Sequence, residues 1–175
     1  MRSATELLVQ YAAYHRDRRN IASHLVGVPM IVFAVGVLLA RPAIPLGVVS
    51  LTPGWIAFLL AAGWYLTRGN LVLGTAVSAV VGFLILLAHG VATGSIAVWL
   101  AWGLGIFLLG WVIQFLGHWY EGRKPAFVDD LVGLLVGPMF VVAEGLFALG
   151  WNRPLQDEIE RRVGPTVLRD LAKIG

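Results

Sequence analysis

His118 stands near the end of a long apolar run, in the stretch Gln114-Phe115-Leu116-Gly117-His118-Trp119-Tyr120-Glu121-Gly122-Arg123-Lys124. Gln114, His118 and Glu121 are spaced i, i+4 and i+7, so on a helix they share one face. A histidine and a carboxylate at the end of an otherwise apolar helix need partners, because ionisable groups are costly near lipid. The chain offers three further histidines, His15, His24 and His89. Imidazole suits iron, copper, zinc and nickel, and a carboxylate such as Glu121 or Glu144 can complete a ligand set. His15 and His24 are nine residues apart, half a turn out of phase on a continuous helix. They reach one site only if the chain breaks between them. Asn20 is placed to make that break, as the N-cap of a helix that carries His24.

The elements that must position these residues are set by composition. Of 175 residues, 58% are hydrophobic and 13% are charged, and the mean hydropathy is +0.81. A water-soluble chain of this length cannot cover so much apolar surface, so the excess faces lipid. The net charge is +3, with the cations at the ends and in short loops. That pattern anchors and orients a membrane protein and argues against a nucleic-acid partner. The absence of cysteine excludes disulfides, zinc–thiolate sites and iron–sulfur clusters held by this chain. A polar amphipathic stretch precedes the first apolar run, unlike a cleavable signal peptide.

Apolar runs cover residues 21–40, 51–67, 71–92 and 96–116, and about 20 such residues cross a bilayer. A fifth run, residues 131–149, contains Gly137-Pro138 and Glu144, which suits a kinked fifth span or a re-entrant helical hairpin. If it does not cross, twelve of the thirteen Lys and Arg residues fall on one side, with Arg41 alone opposite. The positive-inside rule then favours four spans plus the hairpin, with both termini cytoplasmic. The expected fold is therefore an all-α polytopic membrane protein in a single membrane domain. Residues 1–20 form an interfacial arm, residues 21–151 the transmembrane core, and residues 152–175 a polar tail with its own surface helix. On this topology His15, His24, His118 and Glu121 meet at the cytoplasmic face, and Glu144 joins them from the hairpin. His89 ends the third span about 30 Å away.

Two stretches carry a resemblance. Tyr11-Ala12-Ala13-Tyr14-His15, followed by Asn20, His24 and Pro29, resembles the YxxYHxxxxNxxxHxxxxP opening of the Mpo1-like family of small membrane proteins. Trp111 to His118, with Glu121, Arg123, Pro125 and Ala126, resembles its second signature, and Asp129, Leu131, Pro138, Glu144 and Phe147 continue it. The resemblance implies an iron(II)-dependent dioxygenase of fatty-acid α-oxidation. Such an enzyme uses O₂ to cleave C1 from C2 of a 2-hydroxy long-chain fatty acid, leaving an acid one carbon shorter. It also implies iron ligands at His15, His24 and His118, with His89 as a counterpart of a further family histidine, while Glu121 and Glu144 stay candidates on their chemistry alone. It points to the endoplasmic reticulum in a eukaryote; in a bacterium the membrane would be the inner one.

That chemistry suits the residues. A 2-hydroxy acid can chelate a metal through its hydroxyl and one carboxylate oxygen, and Arg123 or Lys124 can hold the other oxygen. Asn20, Gln114 or Glu144 can orient the imidazoles, and the acyl tail can lie in an apolar groove between spans. Spacing alone admits zinc or copper as readily as iron. Two rival readings remain open at this point. Facing helical histidines also bind haem. A non-enzymatic transporter would place polar residues near mid-membrane, often with repeat symmetry, whereas here they gather at one face and no repeat appears.

Overall fold

The computed structural model describes residues 1–47, 49–128 and 130–170. Asp129, one of the positions that carry the resemblance, and the tail cation Lys173 lie outside the described residues. Helix α1 (Ala4–Ala12) begins where the Ser3 hydroxyl accepts the Glu6 N–H, and it buries Leu7, Leu8 and Tyr11 on one face. Tyr14 and His15 lie beyond the end of the helix. The chain then turns, and α2 (Arg18–Leu39) starts at Asp17, whose side chain accepts the Arg19 N–H. The cap is thus Asp17, three residues before the expected Asn20, which lies inside the first turn. A carboxylate both accepts the free N–H groups and complements the positive end of the helix dipole, and this favours Asp17. The break still falls between His15 and His24.

Four helical stretches now run back and forth between the same two ends. Helix α3 (Pro53–Leu66) starts from a Thr52 cap with Gly54 against the Leu39 carbonyl, and just beyond its far end Arg68 O accepts the Ala4 N–H. Helix α4 (Leu71–Val91) returns alongside it. The last stretch comprises α5 (Ile96–Leu100), a π turn (Ala101–Gly105) and α6 (Ile106–Glu121). It runs antiparallel to α2, with Gly103 at Leu38, Gly110 at Ile31 and Gly117 at Ser23.

Among the described residues three helices, Arg18–Leu39, Leu71–Val91 and Ile96–Glu121, are long and apolar enough to cross a membrane. The expected span at residues 51–67 is helical over only 14 residues. The chain before it forms a hairpin in which β1 (Ile44–Leu46) pairs antiparallel with β2 (Val49–Leu51). This hairpin departs from the all-α expectation. Pro45 cannot donate to a helix ladder, and Gly47 supplies a positive φ of 69° for the turn.

The fifth run forms α7 (Gly133–Ala148), with Pro138 inside it. It bends by 118° into α8 (Arg153–Val163). The segments flanking α7 both meet α1 and its approach: Arg2 pairs with Asp130 at 2.6 Å, and Glu6 pairs with Arg162 of α8 at 2.9 Å.

Glycine lets α2 and α6 touch backbone to backbone. A Cβ on Gly27 would lie 2.7 Å from Gln114 Nε2 and 3.0 Å from the Gly110 carbonyl oxygen. Gly27→Ala is expected to cost about 1–3 kcal/mol through overpacking, seen as a lower Tm in detergent. Gly63→Ala, where a Cβ meets nothing within 4 Å, should leave Tm near that of the parent.

Candidate metal centre

The turn between α1 and α2 sets His15 opposite His24, and the close approach of α6 at Gly117 brings His118 to both. Each histidine offers one ligand atom, and these atoms all lie within 4.8 Å of one another. All three residues are buried. The Tyr11 ring stacks on His15 at 4.1 Å between centroids and 8° between planes.

Backbone carbonyls fix the proton positions on two of the rings. His15 Nδ1 lies 2.6 Å from Tyr11 O, and His24 Nδ1 lies 2.9 Å from Asn20 O. Each Nδ1 therefore donates, and each Nε2 presents a lone pair. These two Nε2 atoms stand 3.0 Å apart, a contact that needs a cation between them. Burial, and after it His24, holds the His15 imidazole well below its ordinary pKa. A metal ion bound by both Nε2 atoms would supply that cation. His118 Nδ1 is buried without a protein partner, as are both amide atoms of Gln114 and Oδ1 of Asn20. The donor set thus suits a metal ion with polar groups around it.

A chamber of about 70 Å³ adjoins the imidazoles, lined by His24, His118, Gln114, Tyr11 and Trp111 among others. Through Ile31, Val32, Trp111, Leu134 and Pro138 it shares its wall with an apolar groove of about 340 Å³. The groove runs on between α2 and α3 past Val35, Phe58 and Ala61 toward Leu39.

The remaining sequence candidates lie apart from the three nitrogens. Glu121 is buried, and its oxygens are engaged. Oε2 accepts the N–H groups of Arg16 at 2.8 Å and Asp17 at 2.7 Å and Nδ2 of Asn20 at 3.2 Å. Oε1 accepts Arg169. Glu144 is half-buried on α7 and does not line the chamber. Arg123 donates to the Ala13 carbonyl at 2.8 Å, and neither it nor the exposed Lys124 lines the chamber.

His89 sits at the opposite end of the helices. Its Nδ1 bonds the Ile85 carbonyl at 2.7 Å, its Nε2 meets Thr52 Oγ1 at 2.8 Å, and Trp55 stacks on its ring. It neighbours Gly54 beside Leu39, which is 15 residues, about 22 Å, along α2 from His24. His89→Ala is expected to keep the metal content of the parent and cost about 1 kcal/mol of stability through lost hydrogen bonds. Metal analysis and thermal unfolding of the same sample check both.

Sequence reasoning passed over three contributors. Tyr11 was visible only as part of the first signature. Asp17 carried a readable signal, a capping residue just before the apolar run; the Arg19 guanidinium holds its carboxyl down at about 2. Arg169 gave none, because it reaches Glu121 from 48 residues away.

A family model described as 2-hydroxy-palmitic acid dioxygenase Mpo1-like matches residues 1–149. The chain is 34% identical over 152 residues to 2-hydroxy-palmitic acid dioxygenase MPO1 of Saccharomyces cerevisiae, a match covering 86% of this chain and 83% of that protein. No solved structure matches the chain.

Proposed function

Because the chain belongs to the Mpo1-like family, we propose that it is an iron(II)-dependent dioxygenase of 2-hydroxy long-chain fatty acids that releases the acid one carbon shorter. The observation that carries this reading is the buried convergence of three imidazoles on one point, beside a chamber that shares lining residues with an apolar groove.

His15, His24 and His118 would hold the metal, and iron(II) bound there would supply the chemistry that activates O₂. The Tyr11 and Asn20 carbonyls keep Nδ1 of His15 and His24 protonated, so that Nε2 faces the metal. Gln114, whose amide has no protein partner, takes the hydroxyl or carboxylate of the substrate, while Arg123 secures the backbone of the turn that carries His15. The acyl tail lies in the groove and excludes water from the chamber. Three convergent nitrogens disfavour haem, which takes at most two axial protein ligands.

In the membrane, α2, α3, α4 and the α5–α6 stretch are the four crossing segments, and α7 is re-entrant. The metal centre then lies at the cytoplasmic face with Arg2, Arg68, Arg123 and Arg169, and Arg41 bonds Ala92 and Gly94 at the other.

The test is product analysis by mass spectrometry. Purified protein loaded with iron(II) is given 2-hydroxyhexadecanoic acid and labelled O₂, beside a metal-free control. An iron-dependent acid one carbon shorter that carries the label is the expected product; its absence from folded, iron-loaded protein overturns the reading. Val35→Trp, which narrows the groove, is expected to lower kcat/KM for the 16-carbon acid relative to a 10-carbon one by about tenfold, the scale on which pocket depth discriminates substrates. An equal fall for both acids would remove the groove from the reading.

A further inference from the structure

Beyond the family match, which ends at residue 149, the chain comes back to the metal centre. After Gly164 it crosses the turn between α1 and α2 as a short strap. Val167 forms a parallel bridge to Asp17, accepting the Arg18 N–H at 2.9 Å and donating its own N–H to the Arg16 carbonyl at 2.8 Å. Arg16 Nη1 donates to the Gly164 carbonyl at 3.0 Å. The Arg169 N–H donates to Asp17 Oδ2 at 2.8 Å, and Arg19 donates to the Arg169 carbonyl at 2.7 Å. The Arg169 guanidinium donates through Nε at 3.0 Å and Nη2 at 2.7 Å to Oε1 of Glu121, a carboxylate 1% exposed.

The two oxygens of Glu121 thus face two different things. One faces the strap. The other holds Arg16, Asp17 and Asn20, which lie between His15 and His24 in the chain. A carboxylate buried at such a junction stays in register only while its countercharge is present, because an unpaired buried charge is strongly unfavourable.

We propose that Arg169 is a positioning residue for the metal centre. Through Glu121 it fixes the turn that holds His15 against His24 and His118. This assignment rests on the reading of those three histidines as metal ligands. It makes Glu121 a clamp on the backbone rather than a fourth ligand, and it makes the segment after α8 part of the working site.

Cobalt(II) titration of the purified full-length protein, followed by its visible spectrum, tests the assignment. Arg169→Gln is expected to weaken cobalt affinity by about tenfold or more, the scale of outer-shell effects at metal sites, and to shift the ligand-field bands at unchanged helical circular dichroism. Arg169→Lys, which keeps the charge, should recover part of that affinity. Arg162→Gln, which removes the exposed pairs of α8 with Glu6 and Glu158 and leaves the contacts of the strap in place, should bind as the parent does. If Arg169→Gln does not fold, Val167→Pro replaces it, because this exposed change removes the N–H that ties the strap to Arg16. Parental affinity and spectrum in the strap variant overturn the assignment. No cobalt binding by the parent, or undiminished binding by His15→Ala, overturns the metal-site reading beneath it instead.

Discussion

Alanine at His15, His24 or His118, taken one at a time, is expected to abolish iron-dependent turnover and strip most of the bound metal. Each imidazole supplies one of three nitrogens within 4.8 Å, and among the described residues no carboxylate lines the adjoining chamber to replace it. Structural zinc held by four ligands is bound by about 10–16 kcal/mol, which sets a scale of roughly 3 kcal/mol per ligand. Each loss should then weaken binding by about a hundredfold or more. Metal content after dialysis and single-turnover product yield measure the two effects separately. A variant that keeps both would remove that histidine from the site. His89→Ala provides the contrast, since its ring is satisfied by Thr52 and Ile85 at the far end of the helices.

The second large effect belongs to a residue with no chemistry of its own. A Cβ on Gly117 would lie 1.9 Å from Ser23 Oγ, 2.7 Å from Asn20 Oδ1 and 3.0 Å from Ser23 Cβ. Ser23 can turn its hydroxyl away, but its Cβ and the Asn20 amide stay where they are. Gly117→Val must therefore push α6 off α2 at the turn that carries His118. Overpacking costs about 1–3 kcal/mol of stability, and a displacement of about 1 Å at a reacting centre costs about a hundredfold in rate. We expect kcat to fall by that order in protein that still folds. Pairing the change with Ser23→Gly should return part of the loss, because it removes two of the three colliding atoms. Gly90→Val, at a site where a Cβ meets nothing within 4 Å, should leave kcat unchanged.

Much of this site was legible from residue types and spacing. His118 could be read from its place at the end of an apolar run, and His15 and His24 from the requirement for a break between them. The position of that break was read three residues late, because Asp17 and Asn20 are both good caps and only the folded chain shows which one accepts the N–H groups. Glu121 could be placed on the correct helix face by its i+7 spacing, but not given a role. Its partners are the backbone of Arg16 and Asp17 and the side chain of Arg169, all distant in sequence, and no local pattern announces such a contact. The same holds for Arg169, which in sequence is one cation among several in a polar tail. The hairpin at Ile44–Leu51 was hidden differently. Its Leu, Ile and Val content merges with the apolar run that follows, and only Pro45 and Gly47 mark it as extended chain.

The brevity of α3 bears on how the protein meets its lipids. At 14 residues this helix is about 21 Å long, whereas the hydrocarbon core of a bilayer is about 30 Å thick. Its neighbour α4, with 21 residues, matches such a core. In the proposed four-span topology, lipids against α3 would therefore shorten and splay, at a cost of fractions of a kcal/mol per ångström of mismatch. Ala57, Phe58 and Ala61 on this same helix line the apolar groove, so the thinned annulus lies where a fatty acid would leave the bilayer. Loosened chain packing there lowers the barrier to departure, and membrane thickness becomes a setting of the enzyme: the same protein should turn over more slowly as the acyl chains of its host phospholipids are lengthened.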